Sequence, residues 1–260
     1  MRITFQAAVL AATALSLAGA PRMARAQEQG QDQNQQDQNR RDDRHRRYDD
    51  RDLRDGERAR LTAEQQRQLI ELQQSRSQQY SARLEQQQRE AEQRAAALQQ
   101  QNRMAQYRYQ QAYAARLRDQ QGRVSNWRSY DYSSDPAFAT APSYRYSRAG
   151  RTYQTNRYGA DLLKQAVNNG YQQGVAAGQA DREDGYRRGY QSSYAYQDAN
   201  YGYTGMYVDQ GDYNYYFRQG FQRGYQDGFN RRFRYGRNNG GQFTIADGVL
   251  SVILNLRDLR

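Results

Sequence analysis

Cysteine is missing from all 260 residues, which excludes disulfides, thiolate nucleophiles and cysteine-ligated metals. Histidine occurs once, at His45, and one imidazole with no second imidazole or thiolate does not make a metal site. Lysine also occurs once, at Lys164, so almost every cation is a guanidinium. Proline is confined to Pro21, Pro136 and Pro142. Large aliphatic residues are scarce, and much of the hydrophobic content is tyrosine and alanine, so the composition predicts a small buried core.

What remains is a chain rich in glutamine, arginine, glycine and tyrosine, with a formal charge of +11. Its beginning, MRITFQAAVLAATALSLAGAPRMARAQ, has a basic residue at Arg2, an apolar run from Ala7 to Leu17 and the small-x-small site Ala24-Arg25-Ala26. That pattern predicts an export signal over 1–26, cleaved after Ala26, with a periplasmic or extracellular product. The apolar run is shorter than the roughly 20 residues that span a bilayer. Cleavage removes Arg2, Arg22 and Arg25 and no acid, which lowers the formal charge from +11 to +8. No cysteine follows the run, so lipid attachment is not available.

Residues 27–60 are first glutamine-rich and then a mixture of arginine and aspartate. With Leu53 as their one large aliphatic residue they cannot recover the entropy of ordering, and a disordered, solvated tail is expected. At Leu61 the character changes. LTAEQ sets Thr62 as an N-cap with Gln65 three residues on as its reciprocal partner, a capping box. From there to Asp119 no glycine or proline interrupts strong helix formers, which predicts one long helix over 61–120. Its apolar stripe, through Leu69, Leu72, Tyr80, Leu84, Ala91, Ala95, Leu98, Ala105, Ala112 and Leu117, is thin. Arginine and glutamine break the second seam position, so the helix reads as a solvated spacer or a weak coiled coil.

The pentamer Leu61-Thr62-Ala63-Glu64-Gln65 resembles the LTxxQ motif of the periplasmic Spy and CpxP stress-chaperone family, whose members are basic, helical and exported. That resemblance implies a holdase chaperone as the alternative function.

Residues 121–142, with the lone Trp127, several serines and two prolines, read as a linker before a Gly/Tyr-rich domain over 143–260. SYRYSRAGRTYQT alternates Tyr144, Tyr146 and Tyr153 around Gly150, as a short β-hairpin would. Beyond it, ADLLKQAVNNGYQQGVAAGQADREDGY reads as a helix on which Leu163, Val167, Gly170, Gly174, Ala177, Gly178 and Gly185 share an arc of about 100°. FRQGFQRGYQDGFNRRF repeats the spacing with Gly220, Gly224 and Gly228. Each glycine costs about 1 kcal/mol inside a helix, so the two stripes imply backbones in close contact. An antiparallel helical hairpin is expected, Gly170 meeting Gly228, Gly174 meeting Gly224 and Gly178 meeting Gly220. Tyr171, Phe221 and Tyr225 would seal its edges, the tyrosines wet at the hydroxyl. Asp181 projects toward the stripe and faces no arginine in that register.

The C-terminal FTIADGVLSVILNLRDLR is strongly aliphatic. Ile245, Val249, Val252, Ile253, Leu256 and Leu259 share one helical face, although VLSVILNL also alternates as a strand does, and an amphipathic helix is the expectation. The fold class is therefore mainly α, with a disordered tail, a long helix and a small helical-hairpin domain carrying a short β-hairpin.

No Ser-His-Asp set, phosphate-cradling glycine loop or calcium loop is visible, and Asp181 with Asp184 is the one acid and base pair that invites attention. The expectation is a noncatalytic exported protein with no cofactor. Arginine interleaved with tyrosine suits forked bonds to phosphate or carboxylate, and export argues against nucleic acid. The partners expected are further copies of the chain and an anionic envelope polymer or lipid surface.

Overall fold

The structure, a computed structural model, describes residues 60–125 and 129–259. The leader expected over 1–26 and, but for Arg60, the tail expected over 27–60 lie outside the described residues, as does Trp127. What is described is mainly helical, with short β-hairpins.

The single helix expected over 61–120 is two. Helix α1 (Ala63–Gln100) begins at the capping box, Thr62 and Gln65 exchanging bonds of 3.2 and 3.0 Å. It stops because Asn102 turns left-handed at φ 56°, with Arg103 N bonded to Leu98 O and Asn102 N to Gln99 O, a Schellman ending built on asparagine. Helix α2 (Met104–Ser125) then runs back antiparallel, Gln110 reaching Ala91 O and Gln120 reaching Tyr80. The N-terminus of α2 has no capping side chain of its own. Asp184 supplies one from a distance, accepting from Ala105 N at 2.8 Å and Gln106 N at 2.9 Å.

Helix α3 (Pro136–Ala139) follows, capped by Asp135, and with Tyr132 and Met206 forms a small satellite core under α1. Strands β1 (Tyr144–Arg148) and β2 (Arg151–Thr155) make the expected hairpin, turned by Ala149 and Gly150 at φ 49° and 79°. Tyr146 pairs with Tyr153 across it, their rings stacked at 5.5 Å.

Helix α4 (Arg157–Glu183) and helix α6 (Gln210–Asn230) are the two glycine-striped helices. Between them lie a 3₁₀ turn, Tyr190–Ser192, and helix α5 (Tyr194–Asp198). After α6 come β3 (Gly236–Asn239) and β4 (Gln242–Ile245), a second hairpin, then α7 (Asp247–Leu254) and β5 (Arg257–Asp258). Strand β5 pairs antiparallel with β1 and makes a three-stranded sheet in the order β2-β1-β5.

The C-terminal segment is thus strand, helix and strand. Ile245 is buried as a strand residue, and Val252 points outward with 78 % of its surface exposed. Val249, Leu250, Ile253 and Leu254 carry the packed face of α7. The single helix expected here is cut by Asn255, left-handed at φ 43°.

The core is larger than composition suggests. Tyr80, Tyr113, Tyr171, Tyr203, Tyr213 and Tyr216 are all fully buried, together with Phe217, Phe221 and Leu163. Burying a phenol costs little once its hydroxyl is bonded. Tyr203 donates to Val208 O at 2.8 Å, Tyr213 to Tyr201 O at 2.7 Å and Tyr216 to Ser147 O at 2.8 Å. Leu84, Tyr113 and Leu117 of the α1/α2 hairpin belong to the same core as Val167 and Phe217, so that hairpin is a packed wall of the fold and not a solvated spacer.

Candidate functional site

All six seam glycines come together, and they do so between parallel helices. A Cβ at Gly170, Gly174 or Gly178 would fall far inside contact distance of the carbonyls of Phe217, Phe221 and Tyr225. A Cβ at Gly220, Gly224 or Gly228 would do the same to Val167, Tyr171 and Val175. The partner's number rises as the residue number rises, which corrects the antiparallel register. The contacts are reciprocal at a constant offset, as an approximate two-fold axis along the seam produces.

Glycine is required because each α-hydrogen faces a carbonyl oxygen across the interface. Such Cα–H···O contacts contribute about 0.5–1 kcal/mol each, close to the helix propensity each glycine forgoes. Gly185 is not part of the seam. It sits at φ 66° just past α4, and its N–H with that of Tyr186 closes a second Schellman ending.

A parallel pair needs a return path along its full length, and 184–209 provides it. Two glutamines of the α1/α2 hairpin hold that path in place. Gln73 accepts from Tyr207 N at 3.2 Å and donates to Gly205 O. Gln120 donates to Asn200 O and Tyr203 O at 3.0 Å each and accepts from Gly202 N at 2.8 Å. A run of glutamine that reads as solvated in sequence supplies the buried amides that make the crossover stable.

The parallel direction also explains Asp181. It is fully buried, accepts from Tyr225 Oη at 2.7 Å and meets the Arg103 guanidinium at 2.5 Å. Arg103 in turn lies over the Tyr186 ring, 3.4 Å from its centre. The reciprocal bond runs from Tyr171 Oη to Asp227 at 2.8 Å, and Asp227 also accepts from Arg234 N and Tyr235 N. Tyr171, Phe221 and Tyr225 are therefore buried within the fold, with aspartate in place of the water expected at the two hydroxyls.

Two further pairs repeat this chemistry. Tyr113 donates to Asp198, and Tyr146 to Asp212 at 2.6 Å. Arg148 lies 3.0 Å from the second oxygen of Asp212. Burial raises the pKa of Asp181, Asp198 and Asp212, that of Asp198 to about 6, against the opposing pull of their tyrosine donors. Burial likewise pushes the hydroxyls of Tyr113, Tyr146, Tyr171 and Tyr225 up, and the neighbouring carboxylates add to it. Asp181 and Asp184 serve separate ends, one bound to Tyr225 and Arg103 and the other capping α2.

Because α4 and α6 are parallel, both C-termini and their partial negative charges lie at one end. Arg182 donates from α4 to Gly228 O and Phe229 O of α6. Desolvation and then Arg231 depress its pKa, a sign of crowded positive charge. Arg187, Arg188, Arg231 and Arg232 are exposed at this end with no carboxylate partner among the described residues. A second basic surface lies on the outer face of the three-stranded sheet, where Arg145 stands directly opposite Arg257.

The six glycines are legible in the sequence, while the Arg145–Arg257 pair is not, since it exists only where β5 docks beside β1. Among the described residues no cluster of three or more histidines, aspartates or glutamates is placed to hold a metal, and no helix is long and apolar enough to cross a membrane. No protein-family model, curated protein or solved structure matches the chain.

Proposed function

We propose that this is an exported, noncatalytic protein of the bacterial envelope whose role is to hold anionic polymers or surfaces. The observation that carries the reading is the disposition of arginine. Among the described residues, ion pairs to carboxylates are made by Arg76, Arg103, Arg108 and Arg148. The guanidiniums at the C-terminal end of the helix pair and on the sheet face stay exposed and unneutralised. Guanidinium suits forked bonds to phosphate and carboxylate, and a one-sided charge concentrates polyanions at the surface.

Self-association enters this reading in a weaker place than the sequence suggests. The glycine seam closes within one chain, and the middle of the α1 stripe, Tyr80, Leu84, Ala91 and Ala95, is buried, while Leu72 stays exposed. The pentamer that resembles the Spy and CpxP motif is occupied in capping α1.

The test is binding of the mature chain to dextran sulfate and to phosphatidylglycerol vesicles as salt rises. Contacts to several charges should weaken binding by about tenfold or more between 50 and 200 mM salt. Binding that ignores salt, or none at low salt, would reject the proposal.

A further inference from the structure

The outer face of the sheet β2-β1-β5 differs from its inner face in one respect that calls for a ligand. On β1 the residues alternate. Tyr146 and Arg148 turn inward, where Asp212 receives both. Arg145 and Ser147 turn outward and are exposed. Register places Gln154 of β2 on one side of Arg145 and Arg257 of β5 on the other, with Thr152 beside Ser147. Arg145, Ser147, Thr152, Asn255 and Arg257 line a half-open depression of about 260 Å³.

Like charges directly opposite on adjacent strands are destabilising, with Cα atoms only about 5 Å apart. Arg148 shows what the fold does with a guanidinium it means to neutralise. Arg145 and Arg257 receive no such acid among the described residues, and no carboxylate lines the depression. The Asn255 amide oxygen lies 3.4 Å from Arg257 Nε, toward that side chain's anchored end. The site presents two guanidinium forks, two hydroxyl donors and no competing acid, with room for a small tetrahedral oxyanion and the first atoms of whatever bears it.

We propose that this depression is a phosphate-binding subsite in which Arg145 and Arg257 grip one phosphate group between them and Ser147 and Thr152 donate to its remaining oxygens. The proposal rests on the anionic-partner reading above and narrows it to phosphate chemistry at one place. The neutralised pair removes the cross-strand repulsion, so ligand binding also tightens the β1–β5 edge. Free phosphate and a lipid phosphate head group satisfy the same donors.

The test compares three forms of the mature chain: wild type, R145Q/R257Q and a charge-matched control on the exposed faces of α1 and α2, R89Q/R118Q. The first variant should keep or raise the thermal midpoint, since it removes a repulsive pair. Inorganic phosphate at about 10 mM should shift the Arg145 and Arg257 Nε–H resonances of wild type, as a binding free energy of a few kcal/mol requires. Phosphatidylglycerol vesicles should bind R145Q/R257Q about tenfold more weakly than wild type and bind the control within about twofold.

Phosphate shifts at the pair without vesicle binding would keep the subsite and reject the lipid-surface reading. Vesicle binding lost only in R145Q/R257Q, with no response to free phosphate, would assign the site to the lipid head group. Equal losses in both variants, with no phosphate shifts at Arg145 or Arg257, would overturn the subsite and leave a diffuse anionic-surface reading standing.

Discussion

At the residue scale the recurring unit is a buried aspartate that receives a tyrosine hydroxyl. A phenol brings a large apolar area and one donor, and a carboxylate accepts that donor where water has been excluded. The cost falls on the carboxylate. Asp198 ionises near 3.8 when unfolded and near 6 in the fold, so the folded chain holds the extra proton between those values. Stability from this group is full below the lower value and declines as pH rises to the upper one. The chain should therefore melt at a higher temperature at pH 4.5 than at pH 7. Asp198→Asn should flatten that slope, by at most about 3 kcal/mol across the window. A steeper loss on acidification in thermal scans would contradict the assignment. The tyrosines act at the other extreme: their folded pKa values lie above the ordinary 10.0, so stability is lost as pH climbs past it. Cooperative alkaline unfolding should coincide with tyrosinate absorbance.

At the element scale the seam and the caps are separable. Gly174→Ala or Gly224→Ala places a methyl against a backbone carbonyl that no side-chain rotation can move, and each should cost about 1–3 kcal/mol or more. A Cβ added by Gly122→Ala in α2 meets nothing within 4 Å among the described residues, and the change should stabilise by up to about 1 kcal/mol. Urea midpoints of the three variants decide the matter, and equal effects would remove the seam. Asp184→Ala strips the two backbone bonds at the start of α2 and should cost about 1–2 kcal/mol. Amide exchange at Ala105 and Gln106 reports it directly. The capping box at Thr62, the hairpin turn at Gly150 and the glycine stripes were legible because each is a local requirement read from a few adjacent residues. Asn102 was a readable helix stop as well, since asparagine tolerates the left-handed conformation, but nothing around it broke the helical composition.

At the scale of the whole molecule the α1/α2 hairpin and the glycine-paired helices share one core and should unfold together. Gln73 and Gln120 bond the connection that the parallel pair requires, and Leu84, Tyr113 and Leu117 complete its core. A fragment that begins at Gly159 should lack a cooperative thermal transition, while the full chain should show a single one by calorimetry. A sharp transition in the fragment would mean that the pair stands without its wall.

The amino-acid sequence by itself determined the mainly helical class, the short β-hairpin and which six glycines touch, because helical period and steric need are properties of nearest neighbours along the chain. Only the tertiary structure decided that the paired helices run parallel and that tyrosine and glutamine go inside. It also decided that Arg145 faces Arg257. A glycine stripe is nearly indifferent to the direction of its partner, so the choice passed to the side chains that hold the return path. The arginine pair exists only because a two-residue strand from the far end of the chain docks against β1, a contact that no local pattern encodes.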